Sequence, residues 1–394
     1  MMKRSSARNE FSSPCILRLL AVVLVCFAVF SSGCRRRPAP PKAYAAFVVN
    51  KQSSTLAEVN LAKFRLLATV AVAARPERVL VRPQREELWV VRPQREELWV
   101  VSACGVISVV EFPGLRVVRK LRIGEGARDL AFSSHGRRAF ILEPAKGQIV
   151  FIDSENYKET TRLSLGTPLT DLALTPDGNT LVASSSATNR LFFVKADDQK
   201  VLGSVEVGKA PGPMVILPNS SKVFVCDTEE GAISAADLTT QQLLSNIEIG
   251  IRPGAMVLKP DGGELFIFEY EGTSMVIVDT DQDNVEQNYP TGHKPVAGVF
   301  QQNPLVLYIA NAGDGSVMAL DVQNRTLLAA VHLGIEPRAM ALTPDERFLV
   351  LADTAASTLA VLQTNPATLL TTFPVGADPV DVVVPGWLVE SSDK

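Results

Sequence analysis

Beyond residue 43 the chain is a succession of short apolar runs set between clusters of Asn, Gly, Asp, Gln and Pro. The cleanest stretch is Pro295–Pro337, with four such runs, opening and closing on a proline in the setting Gly-x-x-Pro. The runs are only about five or six residues long, as in Leu307-Tyr308-Ile309-Ala310-Asn311, and each is bounded by turn residues. Short apolar runs so bounded mark strands rather than helices.

The Gly-x-x-Pro corner recurs at Gly208–Pro211, Gly250–Pro253, Gly292–Pro295, Gly334–Pro337 and Gly376–Pro379, with successive prolines 42 residues apart. Gly166-Thr167-Pro168 is the same corner shortened by one, and Gly124-Glu125-Gly126-Ala127 has Ala in place of Pro. Four strands, a to d, fill each unit. Strand a follows the corner, as in Arg338-Ala339-Met340-Ala341-Leu342. A turn such as Pro176-Asp177-Gly178 or Pro260-Asp261-Gly262 follows, in which Pro presets φ and Asp bonds the local backbone. Strand b leads through a polar loop to strand c, which tends to end in Asp (Asp153, Asp237, Asp279, Asp321), and strand d runs into the next corner. A four-strand unit repeating every 42 residues predicts an all-β fold, a β-propeller of four-stranded antiparallel blades.

Full units begin near residues 76, 127, 168, 211, 253, 295 and 337. Residues 44–75 supply strands b, c and d only, and Pro379–Val384 supplies a single strand a. Together they make an eighth blade in which the first and last strands share one sheet. Such closure removes free edges at the seam. Eight blades is therefore the expectation, with seven as the alternative. One unit is irregular: Val81–Val90 is repeated unchanged as Val91–Val100, and removing one copy restores a unit of 41 residues. The second copy runs directly into strand c and is expected in the blade, with the first extruded at the a–b turn or forming an extra hairpin.

Tyr308-Ile309-Ala310-Asn311, Ala319-Leu320-Asp321 and Leu333-Gly334-Ile335-Glu336-Pro337 resemble the repeat of the YVTN family of bacterial β-propellers. The resemblance spans about residues 44–387. It implies the propeller fold, and membership among surface-layer and lipoprotein-type propellers, few of which have an assigned chemistry.

The amino-terminal segment is of another kind. Lys3, Arg4, Arg8 and Arg18 precede an apolar run of 12 residues, Leu19–Phe30, the length of a signal-peptide core and short for a spanning helix. Ser31-Ser32-Gly33-Cys34 resembles a bacterial lipobox, which implies a signal peptide over 1–33 and lipidation of Cys34. Residues 34–43, with Pro38-Ala39-Pro40-Pro41, read as a stiff tether. The propeller occupies 44–387 and a short tail 388–394. The expected location is the bacterial cell envelope, exported and held at a membrane by the lipid.

Composition narrows the partners. Hydrophobic residues make up 46% and charged residues 21%, which suits a globular body. The net charge of −3 hides a split: residues 1–37 carry seven Lys/Arg against one acid, so the remainder is −9. An acidic body argues against nucleic acid. Cys104 and Cys226 fall in non-adjacent units and are expected to be unpaired, inert thiols.

Candidate chemistry is sparse. His135, His293 and His332 fall in an a–b turn, a d–a corner and a strand d, so they cannot share one metal ion. Asp279-x-Asp281-x-Asp283 opens like a calcium loop, but Asn284 and Pro290 stand where Gly and Glu belong, leaving a polar c–d turn. Neither a nucleophile elbow nor a P-loop occurs, and Ser184-Ser185-Ser186 reads as a b–c loop. No catalytic residue, metal site or cofactor is therefore assigned.

What remains is charge by position. In a propeller the d–a corners and b–c loops share one face. Arg75, Arg128, Lys209, Arg252, Lys294 and Arg338, with His293, lie at the corners against Glu125, Glu336 and Asp378. The b–c loops carry Glu143, Asp227, Glu229, Glu230, Glu269, Glu271, Asp314 and Asp353. This predicts a basic mouth inside an acidic rim. The favoured function is an envelope-anchored, non-catalytic scaffold that binds a protein, peptide or glycan on that face. The alternatives are a lactonase- or dehydrogenase-type enzyme using the central funnel, and a structural surface-layer component.

Overall fold

The computed structural model describes residues 43–83, 96–334 and 336–387. The chain divides into two units, Met1–Lys42 and Ala43–Lys394. The signal peptide, Cys34, the tether and the carboxyl-terminal tail fall outside the described residues, as does most of the first copy of the duplicated segment.

The second unit is a ring of eight four-stranded antiparallel sheets, so the expectation of eight blades holds and the seven-blade alternative falls. Seven blades are continuous in sequence. Their innermost strands a begin at Pro76, Asp129, Asp171, Pro211, Pro253, Pro295 and Pro337, and these sheets are blades 1 to 7. The closing blade takes strands b, c and d from Ala45–Asn50, Thr55–Asn60 and Arg65–Ala71, and strand a from Pro379–Val383. Phe47 there faces Val383 in register, so the two chain ends are zipped together.

Burial explains why these segments are strands. Strands b and c are almost wholly buried, strand a is half-buried around the axis, and strand d is mostly exposed with half-buried positions between. Alternate residues of each strand b face opposite neighbours. In the closing blade Ala46 and Val48 pack towards blade 7 with Val350 and Ala352. Phe47 and Val49 pack towards blade 1 with Leu98 and Val100. The core is thus divided into layers between blades, and no blade buries its faces alone.

The recurring polar residues have structural reasons. Asp153, Asp237, Asp279 and Asp321 accept backbone N–H groups two or three residues on, as when Asp279 Oδ1 accepts from Asp281 and Gln282, both at 2.8 Å. The run of aspartates after residue 279 is therefore a capped c–d turn, and Asp283 pairs with Lys222 at 2.9 Å. The corner glycine makes room for the last residue of strand b. A Cβ on Gly292 would stand 2.6 Å from the Asn311 side chain. Each strand d carries a β-bulge, at Leu202 in blade 3 and Leu328 in blade 6 for example, which twists the outer edge away from edge-to-edge pairing.

In blade 1 the second copy of the duplicated segment enters the sheet as expected. Strand b is Glu96–Ser102, with Leu98 opposite Val81 of strand a. Cys104 and Cys226 are both free thiols. Burial pushes the Cys226 thiol well above its ordinary range.

Candidate functional site

Corners and b–c loops do share a face. The carbonyls of Arg75, Arg252 and Lys294 accept hydrogen bonds from the b–c loop residues Ala103, Tyr270 and Ala312. The basic residues of that face, however, do not form one ring. Lys209 lies 3.8 Å from Glu230, and Lys294 lies 4.0 Å from Glu271. The Arg252 guanidinium sits 4.6 Å over the ring of Tyr270. The His293 backbone N–H donates to Asp314. Arg75 is exposed, with left-handed backbone at φ 57°.

Of the expected set, Arg128 and Arg338 together line a cavity of about 380 Å³ over the inner strands of blade 7, the closing blade, blade 1 and blade 2, while Arg252 lines a separate one beside Glu230. Lys51, Glu77, Arg78, Val380 and Asp381 complete the lining of the first. Lys51 pairs with Glu77 at 3.2 Å, and Arg78 pairs with Asp129 at 2.5 Å. Arg128 and Arg338 have no ion-pair partner among the described residues. The mouth is thus basic on one side only, and the arginines without an ion-pair partner in this cavity are Arg128 and Arg338.

Beneath it lies a cluster that the sequence reading missed. Arg78, Asp129, Asp171 and Asp381 occupy one register position of strand a, each opposite the penultimate residue of strand b. Four other blades place Pro213, Ala255, Ala297 and Ala339 there. Burial pushes the Asp381 and Asp171 carboxyls up to about 6. Asp129 is raised by burial too, against the pull of Arg78. Asp381 Oδ2 accepts the Val79 N–H at 2.9 Å, and Asp171 Oδ2 accepts the Met214 N–H at 3.1 Å. Each carboxyl thus ties its strand a to the strand a of the next blade. The signal was present in sequence, but the shortened corner at Gly166–Pro168 moves Asp171 out of step when units are aligned on proline.

The acidic rim needs correction as well. Glu143, Asp227 and Asp353 are fully buried. Each is the last residue of a strand b, where the side chain turns into the b–c loop instead of out to solvent. Asp353 Oδ1 accepts the N–H groups of Glu336 and Ala355, both at 3.1 Å. Glu229, Glu230, Glu271 and Asp314 are exposed as expected. Among the described residues no three His, Cys, Asp or Glu side chains gather into a metal site.

No family model matches the chain, and no curated protein sequence does. Solved structures do match in fold. The dihydro-heme d1 dehydrogenase NirN, solved in complex with DHE, aligns over 91% of this chain and 78% of its own, with TM-score 0.74 and 13% identity. A functionally unknown protein from Desulfotomaculum acetoxidans aligns over 87% of this chain and 99% of its own, with TM-score 0.59 and 12% identity. The hydrazine synthase of Kuenenia stuttgartiensis aligns over 64% of this chain and 87% of its own, with TM-score 0.52 and 16% identity. At such identities the likeness is one of fold: this chain is an eight-bladed β-propeller similar to those of bacterial proteins.

Proposed function

We propose that this propeller is an envelope-anchored, non-catalytic binding scaffold whose axial mouth captures an acidic segment of a protein or peptide partner. The observation that carries the reading is the pair Arg128 and Arg338, two guanidinium groups without an ion-pair partner over a cavity of about 380 Å³. Guanidinium groups bind carboxylates through paired N–H donors, and a partly enclosed site strengthens the attraction. The resemblance of the repeats to the YVTN family, and the lipobox-like Ser31–Cys34, support an anchored scaffold rather than a free one. Two acyl signals suffice for stable membrane attachment.

Fluorescence anisotropy with a labelled oligoglutamate peptide tests the mouth. The double substitution Arg128→Ala and Arg338→Ala is expected to weaken binding at least about tenfold, the loss of one or two charge-assisted hydrogen bonds. Equal binding by wild type and double variant overturns the assignment. Incorporation of a palmitate analogue, lost in Cys34→Ser, tests the anchor separately.

A further inference from the structure

Blade 2 and blade 4 solve one local problem differently. In blade 2, strand b (Arg138–Glu143) ends on Glu143, fully buried, with Lys146 Nζ on one carboxylate oxygen and Arg162 Nη1 at 2.8 Å from the other. In blade 4, strand b (Lys222–Asp227) ends on Asp227, also fully buried. Three residues on, where blade 2 has Lys146, blade 4 has Glu230. On strand d, the register position of Arg162 is taken by Asn246, since Arg162 faces Val150 and Asn246 faces Ser234 at the third residue of each strand c. Both cations are missing from the copy in blade 4.

The consequence is an acidic pocket short of cations: Lys209 Nζ lies 3.8 Å from Glu230, and among the described residues no cation pairs with Asp227. Asp227 Oδ2 accepts the Ser234 hydroxyl at 2.8 Å, but Oδ1 is buried without a hydrogen-bond partner. A Cβ on Gly208 would stand 2.5 Å from both Asp227 Oδ2 and Glu230 Oε2, so these oxygens are at most about 5 Å apart. A buried carboxylate beside another is costly unless a cation joins them. Burial and the nearby Glu230 push the Asp227 carboxyl up to about 7. Glu230 also lines a cavity of about 640 Å³ with Glu229, Glu248, Thr228, Ile251 and Arg252. Its one arginine is engaged over Tyr270.

We propose that this cavity, between the b–c loop of blade 4 and the corner leading to blade 5, seats a primary ammonium or guanidinium group. The incoming cation supplies what Lys146 and Arg162 supply to Glu143. The volume suits an organic cation, with a side chain or amine tail, better than a bare ion. The source is a lysine or arginine of a basic polypeptide, or a free polyamine, and the two carry the same recognising group. The site lies apart from the arginine mouth and stands independently of the function proposed for it.

Calorimetric titration of the full chain with pentalysine and, separately, with spermidine tests this, with calcium as a third arm. Wild type is expected to bind at least one of the two amines, and the stronger one identifies the source. Glu230→Lys, which installs the lysine of blade 2, and Asn246→Arg, which installs its arginine, are each expected to weaken that binding at least tenfold while raising the melting temperature. Asp227→Asn is expected to weaken it similarly. Glu125→Lys makes the same charge change on the same face outside the cavity and is expected to leave binding unchanged. The proposal is overturned if neither amine binds, if calcium alone binds, or if Glu230→Lys and Asn246→Arg bind the amine as wild type does.

Discussion

The closing blade and blade 6 show what sequence distance does to an otherwise identical sheet. Blade 6 is written continuously from Pro295 to His332. The closing blade joins Ala45–Ala71 to a strand from the far end of the propeller sequence, Pro379–Val383. Position for position they correspond: Phe47-Val48-Val49-Asn50 stands where Tyr308-Ile309-Ala310-Asn311 stands in blade 6. Yet Phe47 packs edge-on to Phe112, at 5.4 Å, and Trp387, at 5.7 Å, whereas Tyr308 is held by hydrogen bonds to Gln301 and the Thr364 carbonyl. The seam leans on an aromatic cluster that uses Trp387 from beyond its last strand, and the continuous blade leans on a polar anchor. Closing so long a loop carries an entropic cost that the continuous blade avoids.

Three experiments probe that difference. Ending the chain at Asp378 removes the strand a of the closing blade and Trp387 together. It should abolish cooperative thermal unfolding by circular dichroism, because it leaves strand b with an open edge and a lost core layer, at a cost comparable to the roughly 5–15 kcal/mol that holds a whole domain. A truncated chain that melts like wild type would show that the seam contributes little.

Next come the equivalent core positions. Phe47→Ala should cost about 3–5 kcal/mol in denaturant unfolding, the price of a large buried aromatic. Tyr308→Phe, which removes only the hydroxyl, should cost about 1–2 kcal/mol. Reversal of that order would mean that the polar anchor, not the aromatic cluster, is the stronger device.

The smallest effect separates the blades by pH. Asp381 at the seam has its carboxyl raised to about 6, while blade 6 has Ala297 at that register position. A group whose folded pKa is raised binds its proton more tightly in the folded state. Its contribution is therefore fully present below about pH 4 and fades as pH rises through 6. Asp381→Asn should flatten the fall in stability between pH 4 and pH 7 by about 1 kcal/mol, with the other raised carboxyls, Asp129, Asp171 and Asp227, leaving a residual slope. An unchanged slope would discount the seam carboxyl.

The fold was legible because it is dictated by local, repeated chemistry. The Gly-x-x-Pro corner, the Asp that caps the c–d turn and the short apolar run of strand b each recur at a fixed spacing, and together they determine which strand lies where. Even the duplicated segment left the strands of blade 1 readable, since Leu98–Val101 leads straight into strand c. The candidate site was legible only in part. Charge can be counted along a chain, but whether a side chain faces the axis depends on its neighbours. Lys209, Arg252 and Lys294 each meet a partner on the adjacent b–c loop. Arg78 and Lys51 escaped notice because one lies within strand a and the other in the b–c loop of the closing blade. Glu143 and Asp227 end equivalent strands, and the residues that meet them from the b–c loop and from strand d distinguish a satisfied carboxylate from an orphaned one.

The shared blade also places a condition on how this protein is made. Strands b to d of the closing blade are synthesised first, and their strand a last. Until Pro379–Val383 has left the ribosome, the N–H and C=O groups along the inner edge of Ala45–Asn50 have no strand to pair with. The half-built ring is therefore a chain with one sticky edge at its beginning, held in waiting for its own end. A premature stop anywhere upstream leaves that edge exposed, and with it a mark by which cellular quality control can tell an unfinished ring from a finished one.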